Sequence, residues 1–164
     1  IDSNIRKSLQ KEWTDKNGNK RISYYGWTFK ESYNLNSIES IIHSLKNEED
    51  CFYKPKRQDD LIKLKSKSVV TIIEGVGTAF LEKESGVYGI FIMCDFNTEI
   101  DRRIKRSREG ESNLPRVEVE EKAKERNEQF EITILPQKDK FDLELWSLPN
   151  YSFKINRDDF NIFN

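Results

Sequence analysis

Two apolar runs in the middle of the chain have the composition of buried β-strands. Val69–Ile73 is rich in β-branched residues, and Val87–Cys94 is a longer, mainly apolar run. Short runs of this kind are typical of strands that are covered on both faces. A third strand is predicted within residues 140–155, "KFDLELWSLPNYSFKI", either as a single strand or as a hairpin about "LPN".

Three other segments have helical patterns. In "NLNSIESIIHSLKNEED", apolar residues recur at positions i, i+3, i+4 and i+7, and Asn36 or Ser37 can cap the helix. "NTEIDRRIKRSREG" predicts a second helix, with Asn97 or Thr98 as its cap and acidic residues in its first turn. "VEVEEKAKERNEQFEITI" predicts a long, charged third helix.

The segment Glu12–Tyr25 predicts two strands joined at "DKNGNK", because Asn-Gly supplies the positive φ of a tight hairpin turn. A calcium loop does not fit, since its glycine falls at the wrong position and no glutamate closes the loop. The later strands alternate with helices, which favours parallel pairing through crossovers. We therefore expect an α/β fold with a mainly parallel sheet and crossover helices, preceded by an N-terminal β-hairpin.

The composition is that of a folded domain with a modest core. The chain has 164 residues, of which 35% are hydrophobic, 35% charged and 12% aromatic. Aromatic residues at this level argue against a disordered chain, in which they are depleted. The formal net charge of −1 gives no overall field that would attract nucleic acid or a membrane surface. Any basic site must therefore be local.

The cysteine and histidine content excludes two common types of site. Cys51 and Cys94 lie far apart, and His43 is the single histidine, so the chain has neither a disulfide framework nor a zinc-binding pattern. A reducing, cytoplasmic environment fits this content best. No stretch approaches the ~20 consecutive apolar residues of a membrane-spanning helix, and we expect no membrane partner.

A carboxylate follows each apolar run, Glu74 after the first and Asp95 after the second. In open parallel sheets, ligands bind beyond the carboxyl ends of the strands, where a carboxylate can hold a Mg²⁺ ion that bridges phosphate oxygens. Gly75 and Gly77 would let the backbone approach a ligand closely. A helix cap or a turn carboxylate is the more common role of either acid alone. The dinucleotide motif is excluded, because Phe80 replaces its third glycine.

Five basic residues lie within seven positions of the second predicted helix: Arg102, Arg103, Lys105, Arg106 and Arg108. Guanidinium groups bind phosphate oxygens through paired donors and stabilise the charge that develops in phosphoryl transfer. A solvated face, paired with the acidic residues around it, is the alternative that a charge run alone favours. A nucleic-acid surface is less favoured, because the flanks are equally acidic.

Taken in order, four segments resemble the uridine kinase and phosphoribulokinase group of P-loop kinases. They are "ESYNLNSIESIIHSL", "CFYKPKRQDD", "VVTIIEG" and "IFIMCDFNTEIDRRIKRS", followed by the long charged helix that ends in "NEQF". Their order and approximate spacing agree with that group from about Glu31 to Phe130. No single motif is specific, and the resemblance rests on the ordered set.

The resemblance implies a nucleotide site with ATP and Mg²⁺ as cofactors. Glu74 matches the glutamate that helps to hold Mg²⁺. Arg103, Arg106 and Arg108 match the catalytic arginines that close over the nucleotide phosphates.

On the substrate side, Tyr53 matches a tyrosine of the group's substrate-binding segment, and Arg57 is a second candidate. The resemblance also implies one kinase-like domain over residues 1–164, with the hairpin region at 1–30 and a lid and long helix at 96–136. A small-molecule substrate and a nucleotide are the implied partners.

One large part of that group's site is missing from the chain. No G-x-x-x-x-G-K-[ST] sequence is present, so the phosphate-binding loop and its lysine are absent. The chain starts at Ile1 rather than Met, and one explanation is an N-terminal strand, loop and helix that belong to the complete protein. The other is a degenerate relative that binds a nucleotide or a partner without catalysis. We favour the first.

The leading hypothesis is ATP-dependent phosphoryl transfer to a hydroxyl of a small metabolite, such as a nucleoside or a sugar-containing compound. The alternative is a non-catalytic nucleotide- or partner-binding module on a degenerate kinase-like fold. A nucleic-acid binder is the third and least favoured hypothesis.

Overall fold

The computed structural model describes residues 10–24, 26–54, 60–67, 70–83, 86–107 and 110–159. Within these ranges the helices are α1 (Leu35–Lys46), α2 (Phe96–Arg106) and α3 (Arg116–Thr133). The strands are β1 (Gln10–Thr14), β2 (Lys20–Tyr24), β3 (Cys51–Tyr53), β4 (Ile62–Leu64), β5 (Ile90–Met93), β6 (Leu143–Ser147) and β7 (Phe153–Asp158).

The described residues divide into two compact units. The first unit contains Tyr24–Leu81, with α1, β3 and β4. The second unit contains Gln10–Ser23 and residues 82–159, with α2, α3, β5, β6 and β7. The prediction of one domain over residues 1–164 stays a prediction.

The expected mainly parallel sheet with crossover helices is wrong. The described strands form three small sheets: β1 with β2, β3 with β4, and a mixed sheet in the order β5-β6-β7. The β3–β4 and β6–β7 pairs are antiparallel, whereas β5 and β6 are parallel. Of the described strands, only this last pair keeps the predicted arrangement, with α2 and α3 between its two strands in the sequence.

The first predicted strand accounts for part of this difference. Of Val69–Ile73, residues 70–73 are described, and they form no strand; Val70 is 72% exposed and Ile72 is 84% exposed. A β-branched run favours an extended backbone, but its preference for a sheet depends on cross-strand neighbours and burial. Because residues 70–73 have neither cross-strand neighbours nor burial, they add no strand to a sheet.

The mixed sheet of the second unit is covered unevenly. The central strand β6 begins at Leu143, which is buried. In β5, Phe91 is buried whereas Ile90 and Ile92 are exposed, so the prediction that both faces are covered is wrong for this strand. The hairpin predicted about "LPN" is present, because β6 and β7 pair on either side of residues 148–152.

Helices α2 and α3 pack against each other within the second unit. Ile100 of α2 and Val119 of α3 are buried at this contact. Arg116 adds a polar contact, because its guanidinium donates to Asp101 on α2 and to Glu120 on α3. These bonds raise the pKa of Arg116, the bond to Asp101 most of all. The α2 helix is therefore fixed on α3 along its apolar side, and its basic residues lie elsewhere on its surface.

A buried carboxylate joins the beginnings of β5 and β6. Asp142 accepts a hydrogen bond from the backbone N–H of Gly89 at 2.8 Å and pairs with the ammonium of Lys83. Burial raises the pKa of Asp142, but these two donors together with the charge of Arg157 lower it by more. The backbone N–H of Asp142 also donates to the Gly89 carbonyl at 2.9 Å, which sets the register in which the parallel pair begins.

The predicted N-terminal hairpin is present and is held by one buried carboxylate. Asp15 accepts hydrogen bonds from the backbone N–H groups of Asn19 (2.8 Å) and Asn17 (2.9 Å) and from Nε of Arg21 (2.9 Å). These bonds, with that from the Asn19 N–H the largest, lower the pKa of Asp15 to about 2. Gly18 supplies the positive φ, 82°, that the turn requires. The Asp15 oxygens are thus used by the turn itself.

Asp15→Asn is expected to make stability less dependent on pH. Folding lowers the pKa of this carboxyl from 3.8 to about 2, so ionised Asp15 stabilises the hairpin above pH ~4, and this contribution is lost as the pH falls toward 2. Urea unfolding should show a difference between wild type and variant at pH 6 that disappears near pH 2. Glu121→Gln, at an exposed position of α3, is the matched control. A difference of the same size at both pH values would contradict this role.

Candidate functional site

Two predicted site residues lie in the first unit. Tyr53 is exposed on β3, where its backbone pairs with Ile62 of β4. Glu74 is also exposed, shortly before the 3-10 turn Val76–Phe80. Arg57 lies outside the described residues. The roles of these residues in binding a substrate and Mg²⁺ stay predictions.

The two glycines after Glu74 are explained by the local fold. Gly75 has a φ of 140°, which residues with a side chain rarely adopt. A Cβ on Gly77 would lie 2.5 Å from Cδ1 of Tyr33, whose ring packs against Phe80 with the centroids 6.0 Å apart. The turn and this packing require the glycines whether or not a ligand binds.

Glu74 alone does not make a metal centre. Mg²⁺ takes six oxygen ligands, usually one or two carboxylates together with waters and substrate phosphates. Among the residues whose placement is described, no group of three or more Asp, Glu, His or Cys side chains could hold a metal ion. A Mg²⁺ ion at Glu74 would depend on ligands from a bound nucleotide.

Asp95, the second strand-end carboxylate, caps helix α2. Its Oδ1 accepts a hydrogen bond from the Thr98 backbone N–H at 2.9 Å, and its Oδ2 accepts one from the Thr98 hydroxyl at 2.7 Å. The Thr98 hydroxyl and backbone N–H lower the pKa of Asp95, the hydroxyl most of all. The predicted caps, Asn97 and Thr98, are wrong by two or three positions. Both carboxylate oxygens of Asp95 bind the first turn of the helix, so Asp95 is a helix cap, the more common role of such a carboxylate.

The predicted arginines of α2 differ in their surroundings. The Arg103 side chain is 12% exposed, and its Nε donates to Oε1 of Glu99 at 3.1 Å. Arg106 is exposed in the last turn and takes part in none of the ion pairs found among the described residues. Arg108 lies outside the described ranges. Of the two described arginines, Arg106 is the one whose guanidinium is directly accessible to an anion from solvent.

Arg102 joins α2 to the turn between β6 and β7. Its Nη2 donates to the Leu148 carbonyl at 2.7 Å and to the Ser147 hydroxyl at 3.0 Å. Its Nε is buried and has no hydrogen-bond partner in the described part of the chain. Burial raises the pKa of the neighbouring Cys94 thiol, and the Arg102 charge opposes this only in part. Cys94 is therefore a protonated packing residue at neutral pH.

Tyr151 lies in this turn with two cations against its ring. The Arg102 Cζ is 4.9 Å and the Lys105 Nζ is 5.1 Å from the ring centroid, within the range of cation–π attraction. Tyr151 is 57% exposed, and its φ of 65° is left-handed, a conformation that a bulky residue rarely adopts. Strained positions of this kind are enriched at functional sites.

We call Arg102, Lys105, Arg106 and Tyr151 the basic–aromatic cluster. It combines an exposed aromatic ring with the exposed cations of Lys105 and Arg106, which are of a type that can donate hydrogen bonds to phosphate oxygens. The cluster lies wholly within the second unit. The basic residues could be recognised in the sequence, whereas Tyr151 could not, because its ring reaches them through contacts between segments about 45 positions apart. The single local signal was the turn sequence "LPN" before Tyr151.

Comparisons with known proteins give no family for the chain. No protein-family model matches it, and no curated protein or solved structure matches it either. The resemblance to P-loop kinases therefore rests on the ordered sequence segments alone. Among the helices that the structure describes, none combines the length and the apolar character needed to cross a membrane.

Asp95 and Glu74, the two carboxylates that the sequence placed after strands, are expected to respond differently to replacement by alanine. Asp95→Ala removes a helix cap and should lower the free energy of unfolding by about 1 kcal/mol. Glu74→Ala alters an exposed side chain and should change it by less than about 0.5 kcal/mol. Urea unfolding of both variants, with Asp95→Ser as a control that keeps a capping oxygen, makes the comparison. Equal losses in Asp95→Ala and Glu74→Ala would contradict the capping assignment.

Proposed function

We propose that the protein takes part in ATP-dependent phosphoryl transfer to a hydroxyl of a small metabolite, such as a nucleoside or a sugar-containing compound. The observation that supports this most is the basic–aromatic cluster, in which exposed Lys105 lies against the ring of Tyr151 and exposed Arg106 follows it in the last turn of α2. Nucleotides combine an aromatic base with phosphates, and the cluster offers a partner for each part.

The cations of α2 lie near the carboxyl end of the helix, where a phosphate would be bound by side chains. The carboxyl end of a helix carries a partial negative charge, which repels anions. A phosphate near the end of α2 must therefore be held by side-chain cations, and the last turn of the helix contains Arg103, Lys105 and Arg106. Guanidinium groups are suited to the charge that spreads over the phosphoryl oxygens in the transition state.

Arg103 and Arg106 have different parts in this proposal. Arg106 is exposed and meets the phosphate directly, whereas Arg103 must first exchange Glu99 for a phosphate oxygen. A dianionic phosphate competes well with one carboxylate, because charge-assisted hydrogen bonds strengthen with the charge on the acceptor. Arg106 is thus the primary phosphate-binding residue and Arg103 the secondary one.

The phosphate-binding loop that this chain lacks would have to come from another segment or polypeptide. If none supplies it, the same cluster serves a nucleotide-binding module without catalysis. Both cases predict ATP binding that depends on Arg106. They differ in catalysis, because only the first predicts transfer of the γ-phosphoryl group.

Arg106→Ala should weaken ATP binding about tenfold, which corresponds to about 1.4 kcal/mol, because one charge-assisted contact is lost. Calorimetric titration with ATP measures the affinity. Transfer of a labelled γ-phosphoryl group from ATP to a panel of nucleosides and sugars tests catalysis. Lys124→Ala, which removes an exposed cation from α3 instead, is the matched control and should bind like wild type. Unfolding curves of both variants should agree with wild type. ATP affinity that Arg106→Ala leaves unchanged would exclude the proposed phosphate site.

A further inference from the structure

The turn between β6 and β7 holds Tyr151 in a defined position. The Leu148 N–H donates to the Ser152 carbonyl at 2.9 Å, and the Tyr151 N–H donates to the Leu148 carbonyl at 3.0 Å. Oδ1 of Asn150 accepts from the Ser152 hydroxyl at 2.7 Å and from its N–H at 3.1 Å. These bonds fix a backbone in which Tyr151 has a left-handed φ and a largely exposed side chain.

The two cations beside the ring are held to different degrees. Arg102 is fixed by its bonds to Leu148 and Ser147, whereas Lys105 is exposed and has a flexible stem. A phosphate attracts an ammonium more strongly than an exposed ring does, since it carries full charges. Lys105 can therefore move from the ring of Tyr151 to a phosphate, which leaves the ring accessible while Arg102 still supports it.

We infer that Tyr151 is the residue on which the base of a bound nucleotide stacks, while Lys105 and Arg106 hold its phosphates. This inference rests on the proposed function and adds the determinant of base binding. Stacking on an aromatic side chain tolerates every base, because each base has a π face. The site is therefore expected to discriminate weakly among nucleotides, with ATP, GTP and UTP binding within about fivefold of one another.

A single-stranded nucleic acid also combines stacked bases with phosphates, but the observations favour a free nucleotide. Such strands bind along positively charged grooves with several aromatic residues. Here the cluster has one ring, and the formal net charge of the chain is −1.

The experiment compares ATP with inorganic tripolyphosphate, which has the phosphates without the base. Both are titrated calorimetrically into wild type, Tyr151→Asn and Tyr151→Phe. Asn removes the ring and adopts the left-handed φ readily, so the turn is kept, and Phe keeps the ring without its hydroxyl. Tyr151→Asn should weaken ATP binding about tenfold and leave tripolyphosphate binding unchanged. Tyr151→Phe should match wild type for both within about twofold.

Each other result has a distinct meaning. Equal weakening of ATP and tripolyphosphate in Tyr151→Asn would show that the ring only supports the cation positions, and would overturn the inference. Unchanged ATP binding in that variant would also overturn it, while the proposed function would stand as long as Arg106→Ala weakens ATP. No binding of either compound by wild type would overturn the proposed function and the inference together. Binding of a dT oligonucleotide much tighter than ATP, with a steep salt dependence, would replace the nucleotide by a nucleic acid.

Discussion

The hydrogen bonds of Arg102 to the turn after β6 are the interaction on which the candidate site depends. Helix α2 is fixed on α3 through Ile100, and if the turn lay elsewhere Arg102 and Lys105 would lose their contacts with the ring of Tyr151. The bonds from Arg102 to Leu148 and Ser147 bring the turn to the helix, and with it the ring of Tyr151. One guanidinium thus converts a charged helix into a site that offers both cations and an aromatic surface.

The parallel pair β5–β6 determines where helix α2 and the β6–β7 turn begin. Asp142 and Gly89 set where the parallel strands β5 and β6 begin, and the strands then end where α2 starts and where the β6–β7 turn begins. Asp95 caps α2 directly after β5, so the helix starts at a defined place. The positions of Arg102 and of the turn therefore follow from the register of a single pair of strands.

Local patterns in the sequence predicted the local structure and little of its assembly. The spacing of Ile38, Ile41, Ile42 and Leu45 gave α1, and Asn-Gly gave the first hairpin, because these signals act over a few residues. The prediction of a mainly parallel sheet was wrong, since the composition of residues 70–73 does not reveal whether a neighbouring strand exists. Tyr151 was missed for the same reason, because Arg102 and Leu148 are 46 positions apart. The basic residues were selected from their density and from the resemblance to the kinase group, and their pairing, such as that of Arg103 with Glu99, needed the structure.

The most direct test of the central idea, that the basic–aromatic cluster binds a nucleotide, is a residue-resolved map of the ATP site. Backbone amide shifts in two-dimensional NMR, recorded during titration with ATP, locate the bound ligand without any variant. We expect saturable shifts concentrated in residues 102–107 and 147–152, at the end of α2 and in the β6–β7 turn. Saturable shifts confined to other parts of the chain, or no shifts at all, would contradict it.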